Sequence, residues 1–388
     1  MLQALAGPDV RALEVSSDRR RVLVPWADGR TTAAPACWLA DNADGARDPG
    51  SGHRLASALA LAEANEVLEA RLDGDALSVT LAPGGAARRV SLAALARAEA
   101  GWGDAAPAPL AQLWPTAQAL AADPPPVSLA AYLDDDRALA QTLAQVVRRG
   151  IAFLSGCGTE PGAVERITAR FGHIRETNYG RLFDVREEAR PTHLAYTPVG
   201  LDLHTDNPYR EPVPTLQILH VVEAAAAGGE SQFADGFPHA AALRSAAPEK
   251  FAALAQTPVG FAYVGATGER YFAHSPVIET SVTGEIVGVR VNHRALLTPP
   301  PSVAERWYEA YLDFYGRLHA PAARLERRLA PGEAVVFDNR RLLHGRAPYG
   351  GGEDVGSGRR WLQGCYADID GLKATLSRLP AVADGAIE

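Results

Sequence analysis

His204-Thr-Asp206 and, far along the chain, His344 in Asp338-Asn-Arg-Arg-Leu-Leu-His-Gly-Arg346 are the residues whose types and spacing could do chemistry. Two imidazoles and one carboxylate, two close together and one remote, make up the ligand set of non-haem Fe(II) oxygenases. Three ligands on one face of an octahedral ion leave three positions open for a cosubstrate and dioxygen. In an extended strand, residues i and i+2 project to the same side. Leu203-His204-Thr205-Asp206 is therefore expected to aim both ligands at one point, with Thr205 facing away. His53, His173, His220, His239, His274 and His319 lack such company and are expected in structural or surface roles.

Positioning these ligands needs a scaffold that brings distant segments to one mouth. Short strand-like runs dominate the second half: Leu216–Val222, Val287–Val291, Ala334–Phe337 and Trp361–Tyr366. An amphipathic helix, Val303–Leu318, interrupts them, and Leu129–Arg149 and Val164–Phe171 read as helices. Gly150–Leu154 reads as a buried strand. The expected fold is mostly β with flanking helices: a double-stranded β-helix (jelly-roll) catalytic domain plus a small N-terminal α+β domain. In the N-terminal part, Ala12–Val24 has alternating stretches, and Ala76–Leu81 and Arg88–Leu92 bracket Pro83-Gly84-Gly85 as a hairpin or loop. The stretch 103–127 is rich in Ala and Pro and ends in Pro124-Pro125-Pro126, which suits neither a helix interior nor a central strand. The expected organisation is thus a small domain over 1–102, a linker over 103–127 and the catalytic domain over 128–388.

Composition excludes several function classes. A chain of 388 residues with 47% hydrophobic side chains buries a sizeable core and exceeds the usual single-domain size. A formal net charge of −8 argues against general nucleic-acid binding, which needs a basic footprint. No apolar run is long enough for a transmembrane helix, and the N-terminus lacks the basic and apolar regions of a signal peptide. Cys37, Cys157 and Cys365 are scattered and read as reduced thiols, which suits a cytoplasmic enzyme.

His204-Thr-Asp-Asn-Pro208, Leu216-Gln-Ile-Leu-His220, Gly228-Gly-Glu-Ser231, Asp235-Gly236, the Asp338–Arg346 run and Arg360-Trp-Leu-Gln-Gly-Cys-Tyr-Ala-Asp368 occur in that order. Together they resemble the γ-butyrobetaine hydroxylase and trimethyllysine hydroxylase family of TauD-like, Fe(II)/2-oxoglutarate-dependent dioxygenases, strongly over 150–388 and weakly over the first hundred residues. The resemblance implies Fe(II) on His204, Asp206 and His344, and 2-oxoglutarate as cosubstrate. It further implies hydroxylation of a small trimethylammonium substrate of the γ-butyrobetaine type, with no catalytic side chain beyond the metal triad. Ascorbate is the candidate reductant and a homodimer the candidate assembly. Neither nucleic acid nor membrane is an expected partner.

The far carboxylate of 2-oxoglutarate needs a guanidinium that binds it through two parallel hydrogen bonds, and Arg360 matches the family position. Strand alternation puts Arg360, Leu362, Gly364 and Tyr366 on one face, so an inward Arg360 predicts an inward Tyr366. A quaternary ammonium donates no hydrogen bond and is held by aromatic faces. The residues matching the family's cage are Tyr179, Phe183, Tyr196 and Tyr366, with Phe183 where a tryptophan is usual. At the substrate's anionic end Asn292 matches, His193 replaces an asparagine, and Arg290, His293 and Arg294 add charge nearby in sequence. That departure leaves a trimethylammonio-phosphonate as an alternative substrate. A non-catalytic cupin-like sensor that kept its metal site is a more remote alternative.

The family often binds zinc in the N-terminal domain through cysteines after a Trp-Leu-x-Asp-Asn segment. Here Trp38-Leu-Ala-Asp-Asn42 is followed by Ala43-Asp-Gly-Ala-Arg-Asp48, with no cysteine, and Cys37 with His53 cannot complete a tetrahedral site, so no structural zinc is expected.

Overall fold

A computed structural model describes residues 12–83, 85–99, 111–120, 125–186, 197–265, 268–349 and 360–380. The chain divides into two compact units, Met1–Pro107 and Ala108–Glu388.

In the first unit, two three-stranded antiparallel sheets alternate buried and exposed residues. Glu14–Val15, Arg21–Pro25 and Thr31–Pro35 form one; Glu66–Asp73, Ala76–Ala82 and Ala87–Ser91 form the other. Alternation puts Val22 and Val24 inward from one sheet and Val67, Leu77 and Val79 from the other, into one core with Leu39, Leu92 and Leu95 from short helices. After Trp38–Asn42 the chain is tied by polar contacts. Arg54 Nε donates to both Asp41 oxygens at 2.7 and 2.6 Å, and Arg47 donates to the Gly52 carbonyl at 3.1 Å. Asp48 accepts from the Gly50 and Ser51 amides. Cys37 and His53 are exposed.

The second unit is a jelly roll of two sheets. The larger has the order Phe183–Arg186, Trp361–Ala367, Leu216–Glu223, Ala334–Asp338, Ile151–Ser155 and Val127–Ser128, with Ile174–Arg175 also pairing Trp361–Ala367. The smaller has the order Leu201–His204, Leu342–Arg346, Ser231–Asp235 and Leu325–Arg327. Phe153, Val335 and Phe337 of the larger sheet and Phe233 and Leu342 of the smaller share one core; Phe233 meets Phe153 and Phe337 edge-on at 6.3 and 5.5 Å. The larger sheet is covered on its other face by the helices Leu129–Asp134, Asp136–Arg149, Ala163–Ala169 and Ile369–Leu376, so 216–222 and 334–337 are buried on both faces. The smaller sheet is covered by Gly236–Ala246, Pro248–Gln256 and Pro301–Leu318. Among the described residues, no helix is long and apolar enough to cross a membrane.

Two features differ from expectation. The helix expected over Leu129–Arg149 breaks at Asp135, whose carboxylate accepts from the Arg137 amide and starts a second helix. Part of the expected linker, 111–120, packs into the second unit. Trp114 is 1% exposed, its indole donates to the Arg149 carbonyl at 2.8 Å, and its amide donates to Asp235 at 3.2 Å. Ala and Pro content signals an unstructured connection, but one buried tryptophan outweighs it. Residues 103–110 and 121–124 lie outside those described.

Candidate active site

The candidate metal ligands come from the smaller sheet and the turn after it. Leu201–His204 pairs with Leu342–Arg346 so that His204 lies opposite His344, and a register shift between Leu201 and His204 re-aims the strand end. The strands approach closely because residue 345 is glycine: a Cβ there would lie 2.6 Å from the Leu201 carbonyl oxygen. The two imidazoles come within 4.4 Å, centroid to centroid.

Asp206 is placed otherwise than a continuous strand would place it. The strand ends at His204, and Asp206 sits on the following turn. Thr205 does face away, buried, its amide donating to the Val291 carbonyl at 2.7 Å. Asn339 holds the turn: its Oδ1 accepts from the Asp206 amide at 2.7 Å, and its Nδ2 donates to the Asp206 and Pro214 carbonyls at 3.0 Å each. Local periodicity could not reveal a ligand held by a side chain over a hundred residues away.

Ligand atoms of His204, Asp206 and His344 all lie within 4.8 Å of one another. His204 Nε2 is 3.3 Å from Asp206 Oδ1, and His344 Nε2 is 3.8 Å from Asp206 Oδ2. The Asp202 carbonyl, 2.8 Å from His204 Nδ1, can only accept, so Nδ1 carries the proton and Nε2 keeps its lone pair for a metal. Burial, reinforced by His204, pushes the His344 imidazole down to about 3. Burial alone would raise the Asp206 carboxyl; His344, His204 and the Tyr366 hydroxyl outweigh it and hold the group below the usual carboxylate range. A neutral His344 and an ionised Asp206 are the protonation states a divalent metal needs of them.

The triad opens into a cavity of about 190 Å³. Arg360, just before the strand Trp361–Ala367, lines it with Leu362 and Tyr366, on the alternation expected. Gln363 and Cys365 point the other way, to the Gly162 amide at 2.6 Å and the Thr168 hydroxyl at 3.4 Å. Arg360 is 7% exposed, and among the described residues no carboxylate pairs with it; the Tyr349 ring lies 5.9 Å away. Burial and the neighbouring Arg346 lower its guanidinium to about 10, so it stays charged at neutral pH.

Of the aromatic set, Tyr179, Phe183 and Tyr366 line the same cavity. Phe183 stacks on Tyr366 at 4.9 Å and lies 6.5 Å from Tyr179. Phe183 lies opposite Gly364, where a Cβ would overlap its ring. Tyr366 also donates to Asp206 Oδ2 at 2.8 Å. Tyr196 and His193 lie outside the described residues. Asn292 lines the cavity while donating to the Thr205 carbonyl at 3.2 Å and accepting from the Ala295 amide at 3.3 Å.

Among the charged neighbours, Arg290 is occupied by Glu279 at 2.5 Å and Glu211 at 3.1 Å, and His293 stacks on Tyr311; Arg294 lines the cavity. His220 and His319 contact backbone carbonyls, those of Gly158 at 2.8 Å and Tyr315 at 2.9 Å.

Sequence reasoning missed Asn207, Tyr209, Gln217 and Tyr263, all on the cavity wall. Gln217 was legible from its alternation with Leu219 in a strand. Asn207 and Tyr209 were legible only as neighbours of the metal pair, and Tyr263 carried no signal.

Residues 109–366 match the family described as "Taurine catabolism dioxygenase TauD, TfdA family". A γ-butyrobetaine dioxygenase of Pseudomonas sp. (strain AK-1) is 41% identical over 252 residues, 64% of this chain and 63% of that protein. The γ-butyrobetaine dioxygenase of Homo sapiens is 30% identical over 242 residues, 61% of each chain. The mitochondrial trimethyllysine dioxygenase of Mus musculus is 30% identical over 270 residues, 68% of this chain and 62% of that one. In each case the chain spans less than two thirds of the relative's length.

Proposed function

The chain belongs to the TauD/TfdA family, and on that premise we propose that it is an Fe(II)- and 2-oxoglutarate-dependent hydroxylase of a small trimethylammonium substrate, of the γ-butyrobetaine type. One observation carries the reading: a two-histidine, one-carboxylate triad, a buried arginine with no carboxylate beside it among the described residues, and the rings of Tyr179, Phe183 and Tyr366 all line one cavity. His204, Asp206 and His344 would hold Fe(II) at the wall of the cavity. With 2-oxoglutarate and dioxygen, the metal would supply the oxidation that turns a C–H bond into C–OH, leaving succinate and carbon dioxide.

The protein's own groups bind and orient. Arg360 would take the far carboxylate of the cosubstrate in a charge-assisted, two-point contact. Tyr179, Phe183 and Tyr366 would offer ring faces to the ammonium, a contact worth about 2 kcal/mol when desolvated. The names of the dioxygenase relatives support the same substrate class. Arg294 suits a carboxylate or a phosphonate at the substrate's other end and keeps the trimethylammonio-phosphonate as a second reading.

The test is a panel of γ-butyrobetaine, trimethyllysine and a trimethylammonio-phosphonate incubated with enzyme, Fe(II), 2-oxoglutarate and ascorbate. Succinate and a hydroxylated product should appear together with γ-butyrobetaine, and His344→Ala should abolish both along with most Fe(II) binding. A larger yield with the phosphonate would select the second reading. Fe(II) binding without succinate from any of the three would instead favour a sensor.

A further inference from the structure

Resting on that reading of the site, we propose that Tyr209 is a positioning residue that ties the aromatic wall of the substrate pocket to the metal-binding turn, and so fixes which C–H bond the substrate presents. Its hydroxyl donates to Asn207 Oδ1 at 2.8 Å, and the Tyr179 hydroxyl lies 2.9 Å from it. A carbonyl oxygen only accepts, so the Tyr209 proton is committed to Asn207 and Tyr179 must be the donor to Tyr209. The chain of hydroxyls therefore has one direction, Tyr179 to Tyr209 to Asn207.

Asn207 directly follows the ligand Asp206 and has φ +55°, in the left-handed region where an asparagine is tolerated. The far end of the chain is thus anchored on the metal-binding turn. Tyr366, another ring of the pocket, is hydrogen-bonded to Asp206 itself. Two walls of the substrate pocket are consequently referenced to consecutive residues of the turn.

Tyr209 is 6% exposed and is held on its other side by Tyr263, which stacks on it at 4.9 Å with 18° between the planes and lies 6.0 Å from Tyr179. Removing only the hydroxyl leaves this stack intact and cuts the link. Tyr179 then keeps its packing and its hydrogen bond with Tyr263 but loses its link to the turn that carries Asp206, so the ammonium-to-metal distance is no longer held from that side. Arg360, just before the strand Trp361–Ala367, is untouched by the change.

The experiment is a double-mutant cycle of Tyr209→Phe and Tyr179→Phe. Calorimetry would measure affinity for γ-butyrobetaine, for its neutral tert-butyl isostere and for 2-oxoglutarate. Assays with ascorbate would measure succinate formed per hydroxylated product and the carbon hydroxylated. We expect Tyr209→Phe to weaken γ-butyrobetaine binding roughly tenfold, the scale of one or two net hydrogen bonds. Succinate per product should rise, a second hydroxylated position should appear, and 2-oxoglutarate affinity should stay at the parent's value. Tyr179→Phe should do the same, and the double variant should be no worse than either, because both cut one chain.

If Tyr209→Phe bound the substrate and hydroxylated one carbon as the parent does, or if the two effects simply added, the positioning role would be overturned. A loss of 2-oxoglutarate affinity in step with substrate affinity would mark a general structural defect and also overturn it. If the parent itself neither bound nor hydroxylated γ-butyrobetaine, the reading of the site would fall first, and this inference with it.

Discussion

Arg341 and Arg360 are both buried guanidiniums of the jelly-roll unit, and they differ in what answers their charge. Arg341 is clamped to Asp235 through two contacts, 2.6 Å from Nη2 and 3.1 Å from Nε, with side-chain exposures of 3% and 0%. It spends its remaining donors on the Arg148 and Gln112 carbonyls. Asp235 meanwhile accepts from the Trp114 and Phe237 amides, so the pair stitches residues 111–120, a helix start and a strand end together. Arg360 has no such carboxylate among the described residues and faces a cavity. A buried charge fully met by the protein is architecture; one that meets a ring and a cavity but, among the described residues, no carboxylate is placed to take a ligand's.

The largest effect expected from this contrast is on stability at the paired site. Asp235→Ala leaves Arg341 buried without its anion and should cost about 3–5 kcal/mol in denaturant unfolding. It should leave 2-oxoglutarate affinity of the folded fraction unchanged, and a mild stability loss would show that the pair contributes little. Arg360→Ala should do the reverse. Unfolding free energy should hold or rise, since an unpaired buried charge is removed, while 2-oxoglutarate binding weakens by about 2–3 kcal/mol, on the order of a hundredfold by calorimetry. If Arg359→Ala gave the larger loss, Arg360 would not be the clamp.

The smallest effect concerns the triad, where two imidazoles and a carboxylate await a cation. His344 has a folded-state value of about 3 against about 6.5 in the unfolded chain. Its neutral form is therefore favoured by folding. The stability it contributes is present above pH 6.5 and is lost as pH falls toward 3, because the unfolded chain takes up the proton first. Metal-free protein should lose about 2 kcal/mol from this source between pH 7 and pH 5. His344→Asn should flatten that slope, and an unchanged slope would place the titration elsewhere.

Much of this site was legible in the sequence, for a physical reason. Arg360 and Tyr366 lie on one face of one extended run, so their relation is set by backbone period, while His204 and Asp206 were legible from their residue types and close spacing although a turn places Asp206. Phe183 and Tyr179 came from resemblance, not from period. What stayed hidden depends on contacts between distant segments. Asn339 placing Asp206, Tyr263 stacking on Tyr209 and Trp114 seating an alanine- and proline-rich stretch are all tertiary facts without local pattern. The strand Ala334–Asp338 was visible because burial on both faces leaves an apolar run, and Leu216–Glu223 because its leucines, isoleucine and valines outnumber Gln217 and His220. The break at Asp135 was not, since Leu129–Arg149 keeps helical periodicity across it.

Gly364 lies beneath the Phe183 ring and admits no side chain without displacing it. The ring is seated on bare backbone, as a lid rests on its rim: a side chain at 364 would lift Phe183 toward the cavity it lines, and a smaller residue at 183 would leave that space open. The two facing positions are therefore one unit, and an exchange at either is felt at the other.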